Sequence, residues 1–300
     1  MTAGPNPRKT RGLGVNARVE PQAAVGLVIA RPSVKMVVAE PAVEIVVPVP
    51  ASSSWRSRRY SPRPTDSVDA MATFVLVHGS WHGAWVWDKL RGELAARGHD
   101  SLAMDLPVSD GSATFDDYAA VVQESMMDLG EPPILVGHSL AGMVVPIVAS
   151  RVPVQTLVFL CAIVPSLTGD HWAGTPEPTA PGTFAGFEER EDGSTVWVDM
   201  DNAIYSFYQD WDRDEAAAGF KRLRPQNSSS LWNGPYPLTE WPACRIVSIF
   251  TTNDRSIGPE YSRYVATERL GVEPLEFNGD HAPFLSQPGT FADFLVQATT

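Results

Sequence analysis

A serine between small residues gives the first indication of chemistry in this sequence of 300 residues. The segment GHSLAG spans residues 137–142, after an apolar run and before a helical pattern. In a strand–turn–helix context, the pattern G-x-S-x-G places the serine on a sharp turn with its hydroxyl exposed. Such a turn requires small residues two positions before and after the serine; Gly137 meets this demand, and Ala141 departs from the strict pattern by only one methyl group. The segment therefore predicts Ser139 as a nucleophile.

A serine hydroxyl attacks well only when an imidazole removes its proton and a carboxylate orients that imidazole. Where the nucleophile lies on a turn of this kind, the chain order is serine, acid, histidine. Of the six histidines, His281 fits this order, because it follows the last predicted strand in the segment NGDHAPF. We predict His281 as the base and interpret the other five histidines as structural or solvated.

The acid is predicted at the carboxyl end of a parallel strand, where such sheets place their functional side chains. Asp254 comes directly after a strand predicted over residues 246–250. Asp280 is adjacent to His281, and its side chain cannot easily reach the far ring nitrogen. Asp170 follows another predicted strand and is the alternative. The sequence thus favours Asp254, with Asp170 as the second choice.

A tetrahedral oxyanion needs N–H donors held ready for it. The donor after the nucleophile belongs to Leu140. The second is expected from the loop after the first strand, HGSWHGAW over residues 78–85, where Gly79 permits a close backbone approach. That leaves the N–H of Ser80 as the predicted second donor.

Strands and helices alternate after Met71, which predicts an α/β fold with a mostly parallel sheet and helices on both faces. Pro146 falls inside one predicted helix, so we expect a bend or an irregular start there. A capping box over residues 114–117 is expected to open another helix. The predicted strands cover residues 74–78, 101–106, 134–137, 156–164, 246–251 and 275–277, and the predicted helices include residues 85–97, 140–149, 259–270 and 290–298.

The alternation of strands and helices is interrupted over residues 165–242, a stretch that holds five of the nine tryptophans. A long irregular insertion rich in aromatic residues is typical of a cap over a pocket, and we place this insertion at about residues 166–242. The alternative is a second small core unrelated to any ligand, because aromatic residues bury well in any core. The candidates for lining a substrate pocket are Gly79, Trp81, Trp172, Trp197, Phe207 and Trp211.

Residues 1–70 differ in composition from the rest of the chain. They contain nine prolines and ten Lys/Arg against five Asp/Glu, a net charge of +5, so residues 71–300 carry −12 − 5 = −17. We predict a disordered N-terminal extension, or residues encoded upstream of a true start at Met71. The acidic remainder argues against nucleic acid and anionic membrane surfaces as partners.

The two cysteines exclude a disulfide framework and favour a reduced, cytoplasmic setting. No Cys/His cluster has the spacing of a metal site, so neither a metal nor another cofactor is expected. No apolar run reaches about 18 residues, so no membrane span is predicted.

Three motifs together carry a family resemblance: VLVHGSWHGAWVW over residues 75–87, GHSLAG over 137–142 and GDH over 279–281. In these motifs the chain resembles the hydroxynitrile lyase and plant methylesterase branch of the α/β-hydrolases, as a bacterial-type esterase member, over essentially all of residues 71–300. The resemblance implies the α/β-hydrolase fold and a cofactor-free esterase or lyase, often dimeric, with a capped apolar pocket. It also supports Ser80 and Leu140 as oxyanion donors and Asp254 as the acid.

Lyases of this branch carry Thr, Cys and Lys at the positions held here by Gly79, Leu140 and Ala282. The resemblance therefore favours a serine carboxylic-ester hydrolase that acts on small apolar or aromatic esters through an acyl-enzyme. Two alternatives stay open: a carbon–carbon lyase of the hydroxynitrile type, and a non-catalytic member of the fold that binds a small molecule.

Overall fold

The computed structural model describes residues 71–232 and 235–300, so the predicted extension over residues 1–70 lies outside the described residues. Six strands form one parallel sheet in the order β2-β1-β3-β4-β7-β8, and β5 and β6 form an antiparallel pair. The strands are β1 Thr73–Val77, β2 Asp100–Met104, β3 Ile134–His138, β4 Thr156–Leu160, β5 Phe187–Glu189, β6 Thr195–Trp197, β7 Arg245–Thr251 and β8 Leu275–Phe277.

Helices cover both faces of this sheet, as the alternating pattern predicts. Successive side chains of a strand point to opposite faces, and Val75 of β1 lies in one buried cluster while Leu76 lies in the other. The helices are α1 Asp88–Ala96, α2 Phe115–Ser125, α3 Val145–Arg151, α4 Met200–Phe207, α5 Arg213–Phe220, α6 Ser229–Trp232, α7 Pro259–Val265, α8 Pro283–Ser286 and α9 Pro288–Thr299.

The strand order reverses direction between β1 and β3. The chain runs from β1 to β2 at one edge and then crosses to β3 on the other side of β1. In open parallel sheets a crevice forms outside the carboxyl ends of the strands at this switch point. The loop that follows β1 and the turn that follows β3 therefore meet at one place, which is where the predicted oxyanion loop and nucleophile lie.

The helix predicted over residues 140–149 is divided in two. Ser139–Met143 forms a 3₁₀ turn, and α3 starts only at Val145. Pro146 then falls in the first turn of α3, where its missing N–H removes no intrahelical hydrogen bond. The expected irregularity is confirmed, and it removes the conflict that a proline inside a helix would create.

The segment between β4 and β7 carries β5, β6 and α4 to α6. Residues of this segment contact loops at the carboxyl ends of the strands, as in the hydrogen bonds of Arg224 with His82 and of Asp210 with Asp280. In the part of the chain that the structure describes, no helix combines the length and apolar character needed to cross a membrane.

Candidate active site

Ser139 lies on a strained turn directly after β3. Its φ is 54°, in the left-handed region that costs a residue with a side chain about 1–2 kcal/mol. A Cβ on Gly137 would lie 2.5 Å from Cγ2 of Val145, and one on Gly142 would overlap the Ile163 carbonyl oxygen. The turn thus requires glycine at both positions, and a hydrogen bond from the Ile163 N–H to the Ser139 carbonyl (3.0 Å) also holds it.

His281 and Asp254 form a buried hydrogen-bonded pair. His281 follows β8 and Asp254 follows β7, and 2.8 Å separates His281 Nδ1 from Asp254 Oδ2. The other carboxylate oxygen of Asp254 accepts the N–H groups of Ser256 and Ile257, both at 2.8 Å. Asp170 is exposed instead and accepts the N–H of Trp172. The structure thus places Asp254, and not Asp170, against His281.

A second buried histidine, His138, is hydrogen-bonded to the backbone of His281. The Nε2 of His138 lies 2.9 Å from the His281 carbonyl oxygen, which can only accept, so this nitrogen carries the proton. Burial lowers the pKa of His138 well below its ordinary value. Within the described residues, Ser139 Oγ makes no hydrogen bond with the His281 ring; catalytic hydrogen bonds of this kind are often long and tighten only in the transition-state complex.

Gly79 packs directly against the turn that carries Ser139. A Cβ placed on Gly79 would lie 2.7 Å from Cβ of Ser139, so this position has no free space. Over the described residues, the N–H of Ser80 has no acceptor. The N–H of Leu140 lies in the first turn of the 3₁₀ segment, where no intrahelical acceptor exists. The structure therefore leaves both predicted donors available near Ser139.

Two further histidines hold the loop that contains Ser80, and sequence reasoning missed their contacts. His78 Nδ1 lies 2.7 Å from the Gly79 carbonyl, and His82 Nδ1 lies 2.6 Å from the Ser80 carbonyl. His82 Nε2 is also hydrogen-bonded to the hydroxyl of Tyr208. Burial lowers the pKa of His78 to about 4 and that of His82 to about 3, so both are neutral near pH 7.

Three of the predicted pocket residues form one aromatic cluster beside His281. The rings of Trp81 and Trp197 lie 5.7 Å apart, those of Trp197 and Phe207 4.9 Å, and those of Phe207 and His281 5.8 Å. Phe184 and Phe187 complete the cluster. Trp197 and Phe207 are buried within it, so they supply apolar packing as much as a surface.

Of the other two predicted tryptophans, Trp211 borders the same buried cluster and Trp172 lies on the opposite face of the sheet. Trp172 is partly buried and packs against Trp232 and Tyr261. Trp211 packs against Tyr208, and its indole N–H donates to Glu215 at 2.7 Å. The aromatic richness of the segment thus divides among separate clusters, which spacing in the sequence could not reveal.

One group of possible metal ligands occurs in the described residues, formed by Cys161, Asp254 and His281. Their ligand atoms lie within 4.8 Å of one another and all three residues are buried. Burial raises the pKa of the Cys161 thiol well above its ordinary value, so this sulfur is protonated at neutral pH. A metal ion there would have to displace that proton and the hydrogen bond between His281 and Asp254.

A parallel sheet with a serine on a strained turn after one central strand, and an acid and a histidine after later strands, defines the α/β-hydrolase class. Residues 74–294 match the sequence profile of the Alpha/beta hydrolase family, and the chain belongs to this family. The predicted fold is confirmed.

Relatives agree with the branch indicated by the motifs. Methylesterase 7 of Arabidopsis thaliana is 37% identical over 258 residues, which cover 75% of this chain and 95% of that protein. Esterase PIR7B of Oryza sativa subsp. japonica is 29% identical over 258 residues, or 75% and 94% of the two chains. The crystal structure of polyneuridine aldehyde esterase superposes with a TM-score of 0.65 at 22% identity, covering 77% of this chain and all of that one. The resemblance to plant methylesterases is confirmed.

Proposed function

We propose that this chain is a serine carboxylic-ester hydrolase that cleaves small apolar or aromatic esters through an acyl-enzyme. The observation that carries the proposal is the buried His281–Asp254 hydrogen bond beside a serine held on a strained turn. A carboxylate only accepts, so the proton lies on His281 Nδ1 and leaves Nε2 as a base. Sequence order and strand ends support Ser139, His281 and Asp254 as one set, and a hydrogen bond joins the last two.

In the proposed reaction, the Oγ of Ser139 attacks the ester carbonyl carbon while His281 Nε2 takes the hydroxyl proton. The N–H groups of Ser80 and Leu140 stabilise the negative oxygen of the tetrahedral intermediate. Collapse of this intermediate breaks the bond to the alkoxy group, which leaves as the alcohol with the proton from His281. Water, deprotonated by His281, then attacks the acyl-enzyme, and the acid is released with Ser139 restored.

The substrate class follows from what surrounds these residues. The aromatic cluster of Trp81, Trp197 and Phe207 with Phe184 and Phe187 lies beside His281 and offers apolar contacts and little charge. Relatives named esterase and methylesterase support an ester as the substrate. The aromatic cluster favours an apolar or aromatic group over a charged one, and the names of the relatives favour an ester.

A fluorophosphonate probe tests the nucleophile directly. We expect rapid covalent labelling of the wild-type protein at Ser139 and none in Ser139→Ala or His281→Ala, all three with the same melting temperature. Hydrolysis is then measured on p-nitrophenyl esters of increasing chain length, methyl esters of aromatic acids and simple lactones. A folded wild-type protein that is neither labelled nor active on any of these substrates would contradict the proposal.

A further inference from the structure

We infer that Arg224, on the segment between α5 and α6, is a positioning residue that aims the Ser80 N–H at the oxyanion through His78. The inference rests on the proposed ester hydrolysis, and it concerns a residue that touches neither the substrate nor the reacting atoms. It links the segment inserted between β4 and β7 to the loop after β1, which lies at the carboxyl edge of the sheet.

Arg224 makes several hydrogen bonds with this loop and with the strand end beside it. Its Nε and Nη2 donate to the carbonyl of His82 at 2.9 and 2.7 Å, and Nη2 also donates to the carbonyl of Leu106 at 3.2 Å. The same Nη2 lies 3.3 Å from His78 Nε2. A guanidinium presents its donors in a fixed planar fork, so one side chain joins several acceptors at once.

The tautomer of His78 follows from its partners. A backbone N–H can only donate, and His78 Nε2 accepts the Leu106 N–H at 2.9 Å, with the Arg224 guanidinium 3.3 Å away. Nε2 must therefore be the unprotonated nitrogen, and Nδ1 carries the proton. That proton is donated to the Gly79 carbonyl at 2.7 Å. Burial and the charge of Arg224 both favour the neutral ring, whose pKa is lowered to about 4.

The direction of one peptide bond depends on this hydrogen bond. The bond between Gly79 and Ser80 is planar and trans, so its C=O and N–H point in opposite directions. The hydrogen bond from His78 fixes the direction of the Gly79 carbonyl. It therefore also fixes the N–H of Ser80, which points the opposite way. A rotation of this peptide would break the His78 hydrogen bond and replace a donor near Ser139 with a carbonyl oxygen.

The same loop also contains a strained residue. Trp81 has a φ of 60°, a left-handed conformation that persists only where the surroundings fix it. Its carbonyl accepts the N–H of Arg224 at 2.7 Å, and its N–H donates to the side chain of Gln226 at 3.1 Å. The segment that carries Arg224 therefore holds the loop through its backbone as well as through the guanidinium.

The test compares Arg224→Gln and Arg224→Lys with the control Arg222→Gln. Arg222 lies two residues away and stacks on the ring of Trp85 at 4.4 Å, and among the described residues its guanidinium donates no hydrogen bond to the carbonyls of the loop. Each protein is assayed for kcat and KM on p-nitrophenyl acetate, for melting temperature, and for inhibition by an aryl trifluoromethyl ketone. This ketone forms a hemiketal with the serine and so reports the oxyanion site.

An oxyanion donor is worth about 10²–10³ in rate, and a misaligned donor loses part of that. We expect Arg224→Gln to lower kcat roughly ten- to a hundred-fold with KM within about twofold, while Arg222→Gln matches the wild type. Affinity for the trifluoromethyl ketone should fall in parallel with kcat/KM. Arg224→Lys should lose most of the same activity, because an ammonium cannot reach three acceptors in a plane.

If Arg224→Gln does not fold, a second pair of variants tests whether His78 orients the peptide between Gly79 and Ser80. The amide nitrogen of Asn can take the position of Nδ1, so His78→Asn should retain clearly more kcat than His78→Leu at similar melting temperatures. A folded Arg224→Gln with kcat within twofold of the wild type, or a loss of kcat without a loss of ketone affinity, would overturn the inference. Equal kcat in the two His78 variants would do so as well. If the wild-type protein is not labelled by fluorophosphonate, it is the proposed function that fails, and the inference fails with it.

Discussion

At the residue scale, the two oxygens of the Asp254 carboxylate have different partners. Oδ1 accepts two backbone N–H groups at 2.8 Å each, and Oδ2 accepts the proton of His281 Nδ1. In Asp254→Asn the amide oxygen must stay with the two N–H groups, so the NH₂ faces His281. That NH₂ would force the proton onto His281 Nε2 and remove the base. We expect kcat to fall about 10³–10⁴-fold, as for the same change in a serine protease.

The control for this substitution is Asp170→Asn, at the exposed carboxylate that accepts the Trp172 N–H. Its kcat should equal that of the wild type. Crystal structures or melting curves establish that both variants are folded, and initial rates on p-nitrophenyl acetate give the comparison. A larger loss in Asp170→Asn than in Asp254→Asn would show that the acid has been assigned to the wrong strand.

Gly79 provides a second prediction at this scale. The resemblance implies threonine at this position in lyases, whereas an added Cβ in this chain would lie 2.7 Å from Cβ of Ser139. Gly79→Ala must therefore displace the turn or the loop, and we expect kcat to fall at least tenfold. Gly92→Ala is the matched control, because its Cβ meets nothing within 4 Å in α1. That variant should keep its kcat and gain up to about 1 kcal/mol of stability.

At the scale of elements, the sequence predicted those strands and helix ends that are determined by short segments of the chain. Periodic apolar runs identified the six parallel strands, and the capping box at Thr114 is present, with Asp117 bonded back to the Thr114 N–H. The prediction was weaker where distant segments meet. Arg224 lies more than 140 residues from both His78 and His82 along the chain, and no spacing rule brings it to them. The aromatic residues of residues 165–242 were recognised as a group, but their division into clusters depends on packing.

Asp280 joins two elements and makes their stability depend on pH. It accepts the N–H of Asp210, between α4 and α5, and the N–H of Ala282 before α8. Burial raises the pKa of Asp280 to about 6, above an unfolded value of about 3.9. The folded state therefore keeps a proton that the unfolded state loses, so the stability from this group is complete below about pH 4. It is lost as the pH rises through about 6.

Asp280→Asn lacks this titration. Relative to the wild type, its free energy of unfolding should rise by about 2 kcal/mol between pH 4.5 and 7.5, measured by urea unfolding with tryptophan fluorescence. Asp293→Asn is the contrasting variant, because the hydrogen bond from Arg97 lowers the pKa of Asp293. Its stability relative to the wild type should stay nearly constant over this range, because Asp293 is ionised in both the folded and the unfolded state above about pH 4.5. A flat difference for Asp280→Asn across this range would show that the carboxyl group is not titrating there.

At the scale of the whole molecule, the family match starts at residue 74 and follows a sharp change in composition. Relatives align over 94% or 95% of their length with 75% of this chain. We therefore expect residues 71–300 expressed alone to have the melting temperature and the kcat of the full chain within error. Differential scanning calorimetry and initial rates make the comparison. An insoluble or inactive protein would show that residues 1–70 take part in folding.

The choice between ester hydrolysis and cyanohydrin cleavage depends on which groups surround the base. The resemblance implies that a cyanohydrin lyase places a lysine ammonium beside the base, where this chain has Ala282. Its side chain is only 3% exposed, and its N–H donates to Asp280. A lysine in this position would bury a charge among apolar groups, so Ala282→Lys should destabilise the fold rather than confer lyase activity. Position 282 therefore supplies no cation that would stabilise a departing cyanide.

Hydrolysis needs no such cation, because the developing charge is on a carbonyl oxygen that backbone N–H groups can stabilise. The N–H groups of Ser80 and Leu140, the proposed donors, fit this demand, and the proposed nucleophile Ser139 would form the acyl-enzyme that a lyase does not require. We expect measurable hydrolysis of short p-nitrophenyl esters by the wild-type protein and no cyanide release from mandelonitrile in the same preparation. Ser139→Ala controls for background in both assays. Efficient, Ser139-dependent cleavage of mandelonitrile would overturn the assignment to ester hydrolysis, because this chain would then achieve lyase chemistry without the cation on which the distinction depends.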